Sequence, residues 1–330
     1  MSLLDLSNYR DVRYHDFHIY HPGRAHNFSQ DLKSFPGIAN SFWFEDFILR
    51  HSDFIHRQLD KWYYSFYISI GYLIAIVAMK RIMVNRAPFQ MKGLLIGWNA
   101  LLAIFSIVGT IRCFPEFTSV LLNNGLKFSY SQSTYYYDYR LNVWYLFFTL
   151  SKAIELLDTA FVLLRKRKLI ALHWVHHLLT LNYSWFVFPD APATARWMVN
   201  MNFFVHSLMY TYYAVKVANI NVPRAISLTI TTLQIAQMFV GLFVNYRALQ
   251  LKLLGLPCDA SLSVLTIGFT LYGLFAVLFI NFFIYTYIIR RSGKLHSAVK
   301  QFVPEMNGNS IKNGSSPNGI QYQFIAKKVQ

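Results

Sequence analysis

The sequence predicts an all-α integral membrane protein with seven transmembrane helices, and three observations predict it. Of 330 residues, 55% are hydrophobic and only 14% are charged, where a soluble domain carries about 25% charged residues. The apolar residues gather in seven runs, at 62–79, 93–111, 141–164, 169–188, 196–215, 225–247 and 262–289; one helical crossing of a hydrocarbon core needs roughly 20 such residues. All ten prolines fall outside these runs, so that Pro88, Pro115, Pro189, Pro192, Pro223, Pro257 and Pro304 are expected in loops or tail, where a helix breaker belongs. The net charge of +16 sits at the ends of apolar runs rather than on an open polar surface. That points to membrane lipids as partner and away from nucleic acid.

Taken in order, residues 1–61 are polar but aromatic-rich ("NSFWFEDFIL") and read as an interfacial lead-in rather than a folded domain. "MSLLDLSNYR" has no apolar h-region, so no cleaved signal peptide is expected and the first span acts as its own anchor. A basic loop follows it, 80–92, with Lys80, Arg81, Arg86 and Lys92. After the second span, loop 112–140 holds Arg112, Lys127 and Arg140. Spans three and four nearly touch at "RKRK", 165–168; loop 189–195 has no Lys or Arg. Lys216 and Arg224 follow span five, loop 248–261 has only Lys252, and Arg290, Arg291 and Lys294 follow span seven. Basic loops thus alternate with poor ones, loop 112–140 being the counter-signal. The positive-inside rule then puts the N-terminus in the lumen and the C-terminus in the cytosol.

The domains expected are a lumenal segment 1–61, a membrane domain 62–289 and a cytosolic tail 290–330, disordered where Asn, Gly and Ser dominate (303–326). Asn27 opens a sequon on the lumenal side and is the expected glycosylation site; Asn182 lies within a span and Asn313 in the tail. Lys327 and Lys328, near the end of a cytosolic tail, look like a dilysine signal for retrieval to the endoplasmic reticulum, or else are two chance lysines in a basic tail. The two cysteines, Cys113 and Cys258, both fall just outside spans on the oxidising side.

Ionisable groups within spans are costly and mark function. Four clusters occur. In "KAIELLDT", Lys152, Glu155 and Asp158 share one helical face with Thr159; they are a structural ion pair or catalytic support. In "LHWVHH", His173, His176 and His177 stand at i, i+3 and i+4, a pattern that packing explains poorly. In "NFFVHSLMYTYY", Asn202, His206, Tyr210 and Tyr213 form one stripe, with Asn202 placed to fix the His206 tautomer; Tyr212 and Tyr213 suit an interfacial belt. In "TTLQIAQ", Gln234 and Gln237 face one way and suit interhelical hydrogen bonding. Four stripes on consecutive spans imply one polar centre. Roofed by Lys and Arg, it fits a substrate with an anionic head and an apolar tail.

Two chemistries fit these histidines. The HxxHH box is shared with membrane di-iron desaturases and hydroxylases, but six of the 11 histidines precede residue 57 and His296 is in the tail. A single metal on three histidines and Asp158 stays open. The other chemistry is acyl transfer: imidazole attacks a thioester and forms an acyl-imidazole, while a second imidazole moves protons or holds an enolate. A seven-helix transporter is a third reading, since polar stripes also line transport paths.

The four motifs, in this order on successive helices, resemble the signatures of the fatty acid elongase family. The resemblance covers about residues 60–290. "RKRKLIALHWVHH" is similar to the branch acting on saturated and monounsaturated acyl chains: branches for polyunsaturated chains tend to have Gln at Lys168, while Val175 departs from the Tyr common in the former branch. The resemblance implies a 3-ketoacyl-CoA synthase of the endoplasmic reticulum with no bound cofactor or metal. It implies helices two to seven enclosing an acyl-chain tunnel, and acyl-CoA and malonyl-CoA as substrates. Reductases and a dehydratase of the elongation cycle are the implied protein partners. It implies His176 as acyl acceptor, His206 at the malonyl step, and a Cys113–Cys258 disulfide. His173 and His177 would then orient these groups or shuttle protons, with Lys152, Glu155 and Asp158 behind them. Lys216, Arg224, Arg290 and Arg291 are expected at the CoA phosphates from their cytosolic position.

Overall fold

The computed structural model describes residues 42–45, 47–48 and 61–289. Asn27, Arg290, Arg291, Lys327 and Lys328 lie outside these residues. Every regular element described is helical: α1 Tyr64–Met83, α2 Lys92–Asn123, α3 Gly125–Ser131, a 3-10 turn Thr134–Tyr137, α4 Tyr139–Ile154, α5 Leu157–Leu164, α6 Ala171–Val187, α7 Ala195–Val217, α8 Arg224–Leu253 and α9 Leu262–Phe283. Residues Ile284–Ile289 form a π-helical turn.

Four helical stretches are long and apolar enough to cross a bilayer: α1, α2, α8 and Leu262–Ile289. Their outward faces are apolar and exposed. On α1 alone Tyr67, Ile70, Ile74 and Val77 face out, a patch that suits lipid rather than water. The motif-bearing helices differ. α4 and α6 have 16 and 17 residues, short of a full crossing. α7 has 23, but its polar stripe lowers its hydropathy.

Close packing follows from small residues. A Cβ on Gly109 of α2 would stand 2.6 Å from the Phe203 ring of α7, and a Cβ on Gly241 of α8 would fall inside the Tyr272 ring of α9. The main aromatic core, including Trp144, Phe148, Tyr183, Phe203, Phe275 and Phe279, lies where α4, α6, α7 and α9 meet.

The loops gather at two ends. At the basic end the Phe89 N–H donates to the Leu164 carbonyl (3.0 Å), and Lys166 Nζ to the Val84 carbonyl (3.0 Å). The "RKRK" break is a Schellman close. Lys166 adopts φ 51°, its N–H donates to the Leu163 carbonyl and the Arg167 N–H to the Val162 carbonyl. At the other end Asp259 joins three loops. Its carbonyl accepts from Ala193 N–H (2.7 Å), its N–H donates to Ser131 (2.8 Å), and its carboxylate accepts from Ser133 N–H (2.9 Å).

Several expectations are corrected. Pro115 lies inside α2, not in a loop. Starting at Lys92, roughly 20 residues complete a crossing before residue 115, so the missing N–H frees one carbonyl past the hydrocarbon core. The helix continues there because Arg112, Cys113 and Glu116 are buried against neighbours. Loop 112–140 is largely helical, and two of its three cations are paired, Arg112 with Glu45 and Arg140 with Asp138. The stretch around Glu45 is not merely interfacial: Glu45 is fully buried, paired with Arg112, and accepts from Trp144 Nε1 at 2.6 Å. Span 141–164 is two helices, broken at Glu155–Leu156, where the Asp158 and Thr159 amides bond three residues back rather than four. Cys113 and Cys258 stand in the structure as free, buried thiols. Cys113 packs with Tyr135, Leu141 and Trp144, whereas Cys258 packs with Tyr130, Val244 and Leu251. Burial pushes the Cys258 thiol up to about 12.

Candidate active site

The break between α4 and α5 shapes the first motif. Ser151 Oγ donates to Glu155 Oε1 (3.0 Å), and Lys152 Nζ donates to the same oxygen (2.7 Å). Lys152 also reaches across to α7 and donates to Asn202 Oδ1 (3.0 Å). Asn202 Nδ2 lies 3.2 Å from His206 Nε2, one turn along α7. Lys152 and Glu155 are each 4% exposed, so the pair is desolvated and breaking it would strand a charge. Asp158 accepts from Trp98 Nε1 (2.5 Å) and Tyr210 OH (2.9 Å), which locks α5 to α2 and α7.

The histidine box occupies the first two turns of α6. The His173 and His177 rings lie 4.5 Å apart, and His176 and His177 5.9 Å apart. His173 Nε2 is 3.0 Å from Thr159 Oγ1, which in turn is 2.6 Å from Tyr72 OH of α1. His176 packs edge-on against Phe275 (4.7 Å) and Phe279 (5.8 Å) of α9. Lys152 of α4 thus connects through Asn202 to His206 of α7, and Thr159 of α5 connects to His173 of α6. Among the described residues the Nδ1 atoms of His176 and His177 are buried without a hydrogen-bond partner. His177 is buried, while His176 keeps part of its surface accessible.

Other expected residues are less central. Gln237 is buried, and Gln234 Nε2 meets Met209 Sδ at 3.4 Å, which joins α8 to α7 as expected of interhelical glue. Tyr213 is 43% exposed, in keeping with a belt position. Lys216 and Arg224 are exposed at the end of α7 and the start of α8. Asn182, in the sequon within span 169–188, donates to Ser69 Oγ and accepts from Ser65 Oγ. Among the described residues no three His, Cys, Asp or Glu side chains converge as a metal-ligand set, and Asp158 faces Trp98 and Tyr210 instead. Sequence reasoning missed Tyr72 and Trp98. Each is an aromatic in an apolar run, and only the fold brings it to a polar partner.

The family model described as the GNS1/SUR4 family (ELO) matches residues 57–295, which contain all four motifs. This chain belongs to the fatty acid elongase family. It is 39% identical over 297 residues to very long chain fatty acid elongase 6 of Drosophila melanogaster, covering 88% of this chain and 91% of that one. It is 40% identical over 232 residues to very long chain fatty acid elongase 3 of Homo sapiens, covering 69% and 84%. The Mus musculus elongase 3 is 37% identical over 274 residues, covering 82% and 97%. The elongase is thus matched across its whole helical domain, and Lys152, His176, His206 and Gln237 all fall within the match.

Proposed function

We propose that this elongase is an acyltransferase that condenses a long-chain acyl-CoA with malonyl-CoA, releasing CO2 and CoA and leaving a 3-ketoacyl-CoA. Family membership supports the reaction class. One observation carries the assignment of the nucleophile: of the four histidines, His173 and His206 each have Nε2 engaged by a protein group, His177 is buried, and His176 alone combines partial exposure with no hydrogen bond to its ring among the described residues. An acyl acceptor needs an unused imidazole lone pair.

The chemistry then runs in two steps. A His176 ring nitrogen attacks the thioester carbonyl carbon, the C–S bond breaks, and CoA leaves as thiolate and takes up a proton. Malonyl-CoA loses CO2, and the electron pair of the broken C–C bond becomes an enolate held by donors that include His206. Its C2 attacks the acyl carbonyl, and His176 leaves with the electron pair of the C–N bond. Phe275 and Phe279 beside His176 suit an apolar chain entering at this point, within a tunnel formed by helices two to seven.

The remaining elements of the reading are membrane placement and recognition. Seven spans, a lumenal N-terminus and a cytosolic C-terminus put the basic end, with Lys216 and Arg224, where CoA phosphates arrive. Arg290 and Arg291 are assigned to the same phosphates from their sequence position just after the last span. Lys327 and Lys328 retrieve the protein to the endoplasmic reticulum, and Asn27 is glycosylated. Saturated or monounsaturated chains are the expected substrates. The 3-keto product requires two reductions and a dehydration, supplied by partner enzymes.

The test is condensation by detergent-purified protein with labelled malonyl-CoA and a panel of acyl-CoAs. Label in a 3-ketoacyl product is expected, and His176→Ala should abolish it in protein that still folds. Retention of most activity in His176→Ala would sink the acyl-imidazole step.

A further inference from the structure

A lysine ammonium can only donate hydrogen bonds, and that fact sets the direction of a whole chain of contacts. Lys152 Nζ is 2.7 Å from Glu155 Oε1 and 3.0 Å from the side chain of Asn202. The atom of Asn202 that meets it must be the oxygen, because an amide NH2 there would set donor against donor. The Asn202 NH2 is therefore the group that faces His206 Nε2, at 3.2 Å. A donor facing Nε2 requires that nitrogen to carry its lone pair, so the proton of neutral His206 lies on Nδ1. Asn202 alone could not enforce this, since a free amide can flip end over end and present either face. The ammonium removes that freedom, and Glu155, held in turn by Ser151 Oγ at 3.0 Å, holds the ammonium.

We infer that Lys152 is a positioning residue which, braced by Glu155 and acting through Asn202, fixes His206 as the Nδ1–H tautomer. The inference rests on the reading above for its catalytic meaning, since it leaves His206 with Nδ1–H as the donor it can offer to a developing enolate. Histidine in the wrong tautomer can lose up to about 10⁴-fold in turnover even with its position kept. The separation of the parts also explains their sequence spacing. Lys152 and Glu155 sit at the α4–α5 break and Asn202 lies 50 residues away on α7, so the tautomer is set only when these helices are in register.

The test reads the tautomer directly and then the chemistry. Full-length protein with 15N-labelled histidine is observed by NMR in detergent, and the His206 signals are identified by their loss in His206→Asn. Nδ1–H is expected in the wild type. Asn202→Asp, which keeps the Lys152 contact but offers only acceptors to the ring, should convert His206 to Nε2–H, and Lys152→Met should leave a mixture. Nε2–H in the wild type, or no change in either variant, overturns the inference. The half-reactions supply a second readout. With Lys152→Met, release of CoA from acyl-CoA should survive while release of CO2 from malonyl-CoA falls at least about 100-fold, and Lys152→Arg, still donor-only, should restore much of it. Equal loss of both halves would mean a structural role and would overturn the inference. Absence of CoA release in the wild type would instead defeat the acyl-histidine reading, with the NMR signal still deciding the tautomer.

Discussion

Tyr72 shows how a residue in an apolar run joins a polar network. It lies on α1, a helix whose other side chains mostly face outward, yet its hydroxyl is 2.6 Å from Thr159 Oγ1, which is 3.0 Å from His173 Nε2. One hydroxyl thus bridges the first helix to the histidine box. Replacing Tyr72 with Phe keeps the ring and removes the bond, which is worth about 1 kcal/mol of stability. Thr159 is then free to rotate and His173 loses a fixed partner. Tyr72→Phe is expected to lower kcat about tenfold, less than the roughly 10²-fold or more that a proton-handling group supplies directly, because Tyr72 acts only through Thr159 and His173, and Thr159→Val to lower it further. If α1 is only an anchor, steady-state assays of Tyr72→Phe will match the wild type. His173, His176 and His177 announce themselves in the sequence because ionisable groups are rare in apolar runs. Tyr72 does not, because Tyr is common there and the Thr159 contact spans 87 residues.

At the scale of helices, the sequence placed the elements well but not their ends. Period and hydropathy locate a crossing, not a helix. α2 continues to Asn123 and α8 to Leu253 because each runs past the apolar stretch into a folded cap. The break at Glu155–Leu156 was invisible because its residues keep helical dihedrals and only the hydrogen-bond step changes. The polar stripes were legible because i, i+3 and i+4 spacing fixes a helix face. Which stripe meets which depended on how closely helices approach, and glycines decide that. Gly241 is the sharpest case, since a Cβ there would occupy the space of the Tyr272 ring. Gly241→Ala should destabilise the protein by about 1–3 kcal/mol through overpacking. In a Tyr272→Ala background the same change should cost almost nothing. Thermal unfolding of the four proteins of that cycle in detergent measures the coupling, and additive costs would show that α8 and α9 do not meet at this pair.

Across the whole molecule the two ends are built differently. The basic end carries loops joined by a few bonds, such as Lys166 to Val84. The opposite end is closed by buried charge. Arg196 is fully buried; its Nε meets both oxygens of Glu116 at 3.0 Å, and its other nitrogens donate to the carbonyls of Ser129 and Gln132 and to Thr134 Oγ1. One side chain thus joins α7 to α2, α3 and the 3-10 turn. The sequence hid this because Arg196 falls in the first turn of a predicted span and Glu116 in a predicted loop, 80 residues apart. Arg196→Met strands the Glu116 carboxylate and should cost about 3–5 kcal/mol. Adding Glu116→Leu removes the stranded charge, so the double variant should recover much of that loss. Because this network lies at the end remote from the basic loops, the kcat of folded double variant should stay near that of the wild type while its melting temperature falls. Melting curves and kcat measured on the same preparations separate the two effects. A kcat that falls in step with stability would mean that the closed end also governs the geometry around His176.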